Sequence, residues 1–547
     1  MKKTILLGTV ILNFLLIHSQ HVVGNVSLDF GETIENNDGS VVHIAGVIDN
    51  TIFALANKKK KYFLQSFDYV TKKFKKSIPL NLDKINGNKL IIEDVAVIED
   101  KAYLMASYYD RKAKKNKFIA KEISQDLKLG KLKTLLSVDV KNKKNRGVFV
   151  FDTSYDSVNY FVSHAGIIER EEKLTYKFTL LDKSLNSVLE DNYETTFEDR
   201  KDLAFDFSDF AINEHGDVFI TTTESYRDKK KKTTVNNITL HTYVANKSYK
   251  KEELNINLSG KRALNCNLIE TKDGSIHMVG FYSALKSSGR AENGLEGIFD
   301  IAADYNTKSI VKKTFNEFTF EVKKKLIGER RAKKGKDLKP YYRNTHLIEK
   351  NNGGIIVLSE FYVRSVGRSS GIGPLAFTPI TYVANEIIVT SLNTDGSLQW
   401  SNVVPKEQQV TVQQMSIGLS GFASSGNVSV SASIMFPLTV LGRGPEYLSS
   451  LPLYNDGKLT LIVNDDPKNI GITEIDDVKK VRNVNKMIPV AFIFDENTGK
   501  MERIDPEDFE KRQIVVQPLT NFNLSTREAI IYGSNKEGSR LGTLNIN

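Results

Sequence analysis

The sequence predicts an all-β chain folded as a single β-propeller of four-stranded antiparallel blades, eight by count, with seven as the alternative count. Three observations predict it. First, one hairpin phrase recurs: an apolar run, a turn of Asp, Asn or Gly, and a second apolar run ending on an aromatic. Leu268–Tyr282, turning at Asp273-Gly274, and Leu347–Tyr362, turning at Asn352-Gly353, are two copies. Second, the phrase is periodic. Its second runs end at Tyr109, Phe161, Tyr226, Tyr282 and Tyr362, separated by 52, 65, 56 and 80 residues, and four strands per roughly 50 to 60 residues is a blade period. Third, the strands within a unit are graded. The second is the most continuously apolar, the third alternates (Lys117-Phe118-Ile119-Ala120-Lys121-Glu122-Ile123), and the fourth is short and lysine-rich. That gradient fits strands running from a crowded centre to a charged, wet edge that resists pairing.

The elements follow in order. Lys2 and Lys3 form a positive n-region, Ile5–Ile17 an apolar stretch, and Ser19-Gln20 a small-residue cleavage point, so residues 1–19 read as a secretory signal peptide. The stretch is too short for a membrane span, and no later one approaches 18 apolar residues, so no transmembrane segment is expected. No Cys lies near the cleavage point, which argues against a lipid anchor there. Residues 20–547 then form one propeller domain. Val22–Phe30 offers a lone strand. Quartets follow over Val41–Leu80, Leu90–Leu136, Val148–Leu189, Leu203–Leu258, Leu264–Phe315 and Tyr341–Val404. Beyond Val404 the pattern loosens. Alternation in Ser416–Ser433 reads as strand, and Gly457–Val463, Pro489–Phe494 and Lys500–Ile504 complete a seventh quartet. Ile514–Gln517, Arg527–Tyr532 and Leu541–Ile546 supply only three strands, so an eighth blade would borrow the N-terminal strand and lock the ring. The count falls to seven if Ser416–Ser433 or the first quartet is not a blade.

Segment 316–340 breaks the pattern. Phe318, Val322, Leu326 and Ile327 stand at near-helical spacing, predicting a short amphipathic helix near 317–335 inside a basic loop between blades five and six. Val322–Lys339 carries nine Lys or Arg against two acids, while the whole chain has a formal charge of +10. A basic balance favours acidic partners.

Chemical signatures are sparse. There is no His-Glu-x-x-His helix, nucleophile elbow or phosphate-binding loop, so no cofactor and no metal is expected. His277 and His346 read as packed strand residues. The lone Cys266 leaves no intramolecular disulfide and reads as a buried strand residue. Asn393–Trp400 has the hairpin of propellers in which a Trp docks each blade, but Trp400 is the only Trp. Asp495–Gly499 begins like a calcium loop without the later acidic ligand. Both read as tight turns. Carboxylate pairs are invisible in a β-repeat, because partners would come from different blades.

The basic clusters carry the candidate site: Lys58, Lys59 and Lys60; Arg111, Lys114 and Lys115; Lys230 and Lys231; and Lys323, Lys324, Arg330 and Arg331. The hairpin clusters join second to third strands, which in a propeller open on the face that also carries the links between blades. Aromatics do not interleave with these lysines, so nucleic-acid stacking is poorly supported. The chain as a whole resembles uncharacterised secreted β-propeller proteins of Gram-negative, Bacteroidota-like bacteria, on Ser19-Gln20, Gly353–Leu358 and Asp495–Lys500. That resemblance implies a fold and an exported location, periplasmic or extracellular, but no activity. The expected function is non-catalytic binding or scaffolding through the basic face, with anionic polysaccharide or an envelope protein as partner. The alternative is a glycan-acting hydrolase or lyase with carboxylates in the axial channel. Oligomeric state is left open, including a subunit role in a larger envelope assembly.

Overall fold

The computed structural model describes residues 19–546 except 35–37, 59–60, 81–83, 86, 154–158, 169–172, 197–199, 233, 287–291, 293, 367–377, 415–421, 426–427, 433–443, 507–513 and 526. The signal-peptide expectation, Ser19 apart, therefore lies outside the described residues.

The second strand of each blade explains the architecture. In the first blade, Ile52, Phe53, Ala54 and Leu55 are consecutive and buried. Side chains alternate across a strand, so Phe53 and Leu55 pack toward blade two with Val95 and Leu104. Ile52 and Ala54 pack the other way, against Ile530, Tyr532 and Leu541 of blade eight. A strand covered on both faces must be apolar at every position. The same arrangement fills the other gaps between neighbouring blades. Apolar packing thus runs right round a closed ring, and the chain is a β-propeller.

The described strands form eight sheets, each with a four-strand antiparallel core. Seven span 40–79, 91–139, 148–196, 200–256, 261–317, 342–414 and 450–504. The eighth takes Val515–Asn523, Glu528–Ser534 and Ser539–Ile546 and is completed by Val26–Phe30, which pairs antiparallel with Ser539–Ile546. The expected closure by both chain ends is present. One detail differs: Val22–Phe30 breaks at Gly24-Asn25, so Ser19–Val23 folds back on Val26–Phe30 as a fifth, outermost strand.

A larger difference concerns Ser416–Ser433. The first strand of blade seven is Ser450–Asn455, not Val428–Ala432. Val428–Ala432 instead pairs with Phe422–Ser425 and adds in parallel to the innermost strand of blade four, with Ala204 opposite Ser429 and Phe207 opposite Ala432. An innermost edge presents unpaired backbone donors and acceptors, and any extended segment can satisfy them. Alternation in sequence reports an extended strand but not which edge it joins.

Blade five shows the cost of crowding at the axis. Its first strand is split into Lys261–Ala263 and Asn267–Glu270, both paired with Ile276–Ala284. At the break, a Cβ on Gly280 would lie 2.1 Å from the Asn265 carbonyl oxygen, so only glycine fits there. Cys266 is buried in this break rather than within a strand.

Neighbouring blades are also clasped at their outer edges. The expected turns hold: Asp395 Oδ1 accepts from Ser397 N at 2.9 Å, and Asp495 Oδ1 from Asn497 N at 3.1 Å and Thr498 N at 2.8 Å. Trp400 docks blade six onto the second turn, donating Nε1–H to the Glu496 carbonyl at 2.7 Å. Its ring lies 2.4 Å from where a Cβ on Gly499, at φ +67°, would sit. Fourth-strand lysines do the same elsewhere. Lys133 reaches Ser184 O at 2.8 Å, and Lys312 reaches the Thr394 carbonyl at 2.6 Å, each in the next blade.

Candidate functional site

Strand direction settles which connections share a face. Each first strand starts on the side where blades are linked, the second returns there, and its turn into the third opens on that same side. The turns between Thr51–Lys58 and Lys61–Asp68, between Lys101–Asp110 and Lys115–Ile123, and between Val218–Asp228 and Thr234–Tyr243 therefore lie on one face. The insert, a link between blades five and six, lies there too.

The predicted basic residues distribute unevenly over this face. Lys58 ends a second strand; Lys59 and Lys60 lie outside the described residues. Arg111 and Lys114 are exposed in the blade-two turn, and Lys115 begins the third strand with its ammonium 3.3 Å from Asp139. The same turn holds its own acid. Asp110 accepts from Ala113 N at 3.1 Å and pairs with Lys117 at 3.0 Å, and these donors hold its carboxyl below the usual range. In blade four, Lys230 and Lys231 are exposed, and both donate their backbone N–H to Asp228 Oδ1, at 2.9 and 2.8 Å. The lysines of the blade-two and blade-four turns thus sit round a carboxylate, as turn chemistry favours.

The insert is built differently. The expected helix is two short ones, α1 (Phe320–Ile327) and α2 (Glu329–Lys333). Thr319 caps α1, its side chain accepting from Val322 N at 3.2 Å. Gly328, at φ +80°, separates the two. Val322, Phe318 and Leu338 are buried in the gap between blades five and six, with Leu326 and Ile327 packed beside them. Lys323, expected on the binding face beside Lys324, is buried instead, 3.6 Å from Asp337. It falls on the inward stripe next to Val322, where only a paired ammonium is tolerated. Lys324, Arg330 and Arg331 are exposed.

A second group of residues does not stand out in the linear sequence. The innermost strands of blades two, three and four carry Glu93 and Asp94, Asp152, and Asp209. Burial pushes Glu93 up to about 7, against the Ser107 hydroxyl that donates to it and the charge of Arg146. Asp152 is pushed up to about 6 by the enclosing chain, with Thr153 N–H opposing and the Asp94 charge adding. It is nonetheless open to water, and a side chain both enclosed and wet is what an axial lining position provides. Asp94 is raised by burial, with His43 of blade one 3.4 Å away pulling the other way. Asp209 is raised to about 6, burial outweighing three donors: Leu268 N at 2.9 Å, Asn267 Nδ2 at 3.2 Å and Phe210 N at 2.9 Å. Since Asn267 and Leu268 belong to blade five, Asp209 also ties two blades together. A signal for this row existed. A polar residue stands directly before the apolar run of the first strand in Asp94-Val95-Ala96, Asp209-Phe210-Ala211, Asn267-Leu268-Ile269 and His346-Leu347-Ile348. Stacking those strands by quartet would have aligned them.

Both histidines lie within strands, as expected, His277 buried and His346 partly buried. His277 Nδ1 is 2.9 Å from Asp300 Oδ1, and burial lowers His346 to about 4. Among the described residues no group of three His, Cys, Asp or Glu is arranged to hold a metal ion, and no helix is long and apolar enough to cross a membrane.

No known protein family and no curated protein matches the chain. Among solved structures it is similar to the WD40 domain of SCAP from fission yeast (7% identity, TM-score 0.33, covering 94% of this chain and 93% of that one). It is also similar to the Dos1 propeller (8%, 0.40, 95% of each chain). The β-propeller domain of the Trilobed protease from Pyrococcus furiosus matches at 10% and 0.29, over 65% of this chain and 97% of that one. The likeness is one of fold alone. The protein's class is that of the β-propellers, and its particular function rests on its own residues.

Proposed function

We propose that this protein is an exported, non-catalytic binding or scaffold propeller that uses its link face to hold a polyanionic partner, an anionic polysaccharide or an acidic envelope protein. The observation that carries the reading is the convergence of the blade-one, blade-two and blade-four turns and the insert on one side of the ring. A field of one sign over one face concentrates ligands of the other. The exported location rests on the signal-peptide reading of residues 1–19. The mature chain expressed from its own leader should begin at Gln20 by intact mass; a retained leader removes that part of the reading. Binding is tested by retention on immobilised dextran sulfate at low salt. Retention that falls as salt rises supports the reading, and flow-through at low salt removes it.

A second reading has its own observation. Glu93 and Asp152, on adjacent innermost strands, are raised to about 7 and about 6, and carboxyls of raised affinity for the proton on neighbouring strands are groups that glycoside hydrolysis would draw on. Release of reducing ends from a panel of polysaccharides, abolished in Glu93→Gln or Asp152→Asn, would establish it. No release by the unaltered protein removes it.

A further inference from the structure

Within the link face, the structure assigns the polyanion site to one element, the α1–α2 insert, and its ligand to a linear polysaccharide bearing carboxylate or sulfate groups. This rests on the binding reading above and narrows it.

The first reason is order. A loop that must be immobilised on binding loses affinity to entropy. The insert is already fixed. Phe318 donates its backbone N–H to Glu296 O at 3.1 Å, and Leu295 and Leu338 exchange backbone hydrogen bonds of 2.8 and 3.2 Å. Val322 and Leu338 are 1% exposed in the gap between blades, and buried Lys323, 3.6 Å from the partly exposed Asp337, closes the inward side. The second reason is charge left facing water. Lys324, Arg330, Arg331, Lys334, Lys336 and Lys339 are all exposed. Of the exposed acids in segment 316–340, Glu329 is engaged by Lys333 at 2.6 Å, which leaves Glu317 at its start and Glu321. The blade-two and blade-four hairpin turns differ, since each is built round an acid, Asp110 or Asp228. The third reason concerns the class of ligand. An interfacial helix lies with its apolar face in the lipid. Here the apolar stripe is spent on the propeller, and Phe320, 42% exposed, is the large apolar side chain of α1 that faces water. What remains outward is cationic, with arginines able to grip anionic oxygens bidentately. Such a surface fits a hydrated, extended polyanion and not a bilayer.

The test uses the whole mature protein and three probes: dextran sulfate, neutral dextran, and vesicles containing anionic phospholipid. Arg330→Glu with Arg331→Glu should weaken dextran sulfate binding roughly tenfold or more, as charge reversal at a polyanion site does. It should leave the melting temperature unchanged, because both residues are exposed. Lys230→Glu with Lys231→Glu should change binding less than about twofold. Arg330→Lys with Arg331→Lys should retain most of it. Equal loss in the insert and hairpin variants, or loss only in the hairpin variant, overturns the assignment while the binding-face reading stands. Absence of dextran sulfate binding by the unaltered protein overturns both. Vesicle binding that exceeds dextran sulfate binding overturns the ligand class.

Discussion

Two regions of the ring enclose carboxylates, partly wet in one and wholly dry in the other, and treat them in opposite ways. On the innermost strands of blades two to four, Glu93, Asp94, Asp152 and Asp209 meet mainly hydroxyl and N–H donors, with His43 beside Asp94, and all are raised. Where blade six meets blades seven and eight, Glu360 is wholly buried, and burial pushes it up. The charges of Lys406, at 2.7 Å, and Arg343, at 3.4 Å, more than reverse that push, leaving it below the ordinary carboxylate value. Burial also draws the Lys406 ammonium down, against the pull of Glu360. The ion pair prevails because all three ammonium hydrogens have acceptors: Glu360, the Ala384 carbonyl at 3.0 Å and Gln408 at 3.2 Å. Ser449 donates to the other Glu360 oxygen at 3.0 Å. Hydroxyl and N–H donors, even with the charge of Arg146 on Glu93 and of His43 on Asp94, do not offset burial there, whereas Lys406 and Arg343 together do so for Glu360. In the first region Glu93, Asp152 and Asp209 are raised toward neutrality, whereas the second is a locked charge.

The largest effect is expected where the locked pair is broken. Lys406→Met leaves Glu360 buried beside Arg343 alone and should cost about 3–5 kcal/mol in denaturant unfolding. Lys406→Met with Glu360→Leu should recover much of that, since an apolar replacement removes both charges; no recovery would mean that packing, not charge, governs the site. The next effect is a pH dependence. Glu93 is raised from 4.5 to about 7 in the fold, so between those values the native state binds the proton more tightly than the unfolded chain. Its contribution to stability is full below pH 4.5 and is lost as pH climbs through 7. Glu93→Gln should flatten that slope, by on the order of 3 kcal/mol. An unchanged stability profile would show that Glu93 is not the group that titrates. Asp209→Ala strands the Leu268 N–H and unties blade four from blade five, at about 2 kcal/mol in thermal unfolding. Asp152→Asn should be the mildest, within about 0.5 kcal/mol, because the side chain is open to water; a larger loss would place it among the structural acids with Asp209.

The blades themselves were legible because each second strand packs on both faces. Ile52-Phe53-Ala54-Leu55 is apolar throughout, and that pattern needs no knowledge of its neighbours. The amphipathic insert was legible too, as Val322, Leu326 and Ile327 fall on one stripe. Its length was not: Gly328 splits it, and Lys323 lies on the inward side, which spacing alone assigns poorly between Val322 and Lys324. The strand at Val428–Ala432 was recognised, but its placement at blade four was not, because backbone edges carry no sequence signature. The axial row escaped for a related reason. Asp94, Asp152 and Asp209 are 58 and 57 residues apart in the chain and become one row only when the ring sets their strands side by side.

The sequence by itself determined the all-β class, the repeat, the closure through both termini and the position of the basic insert, because these follow from alternation, turn residues and local charge. Only the tertiary structure decided which lysine turns inward, which edge receives a stray strand and which carboxylates hold their protons. Those outcomes depend on the company a side chain keeps across blade boundaries, and that company is assembled from residues far apart in the chain.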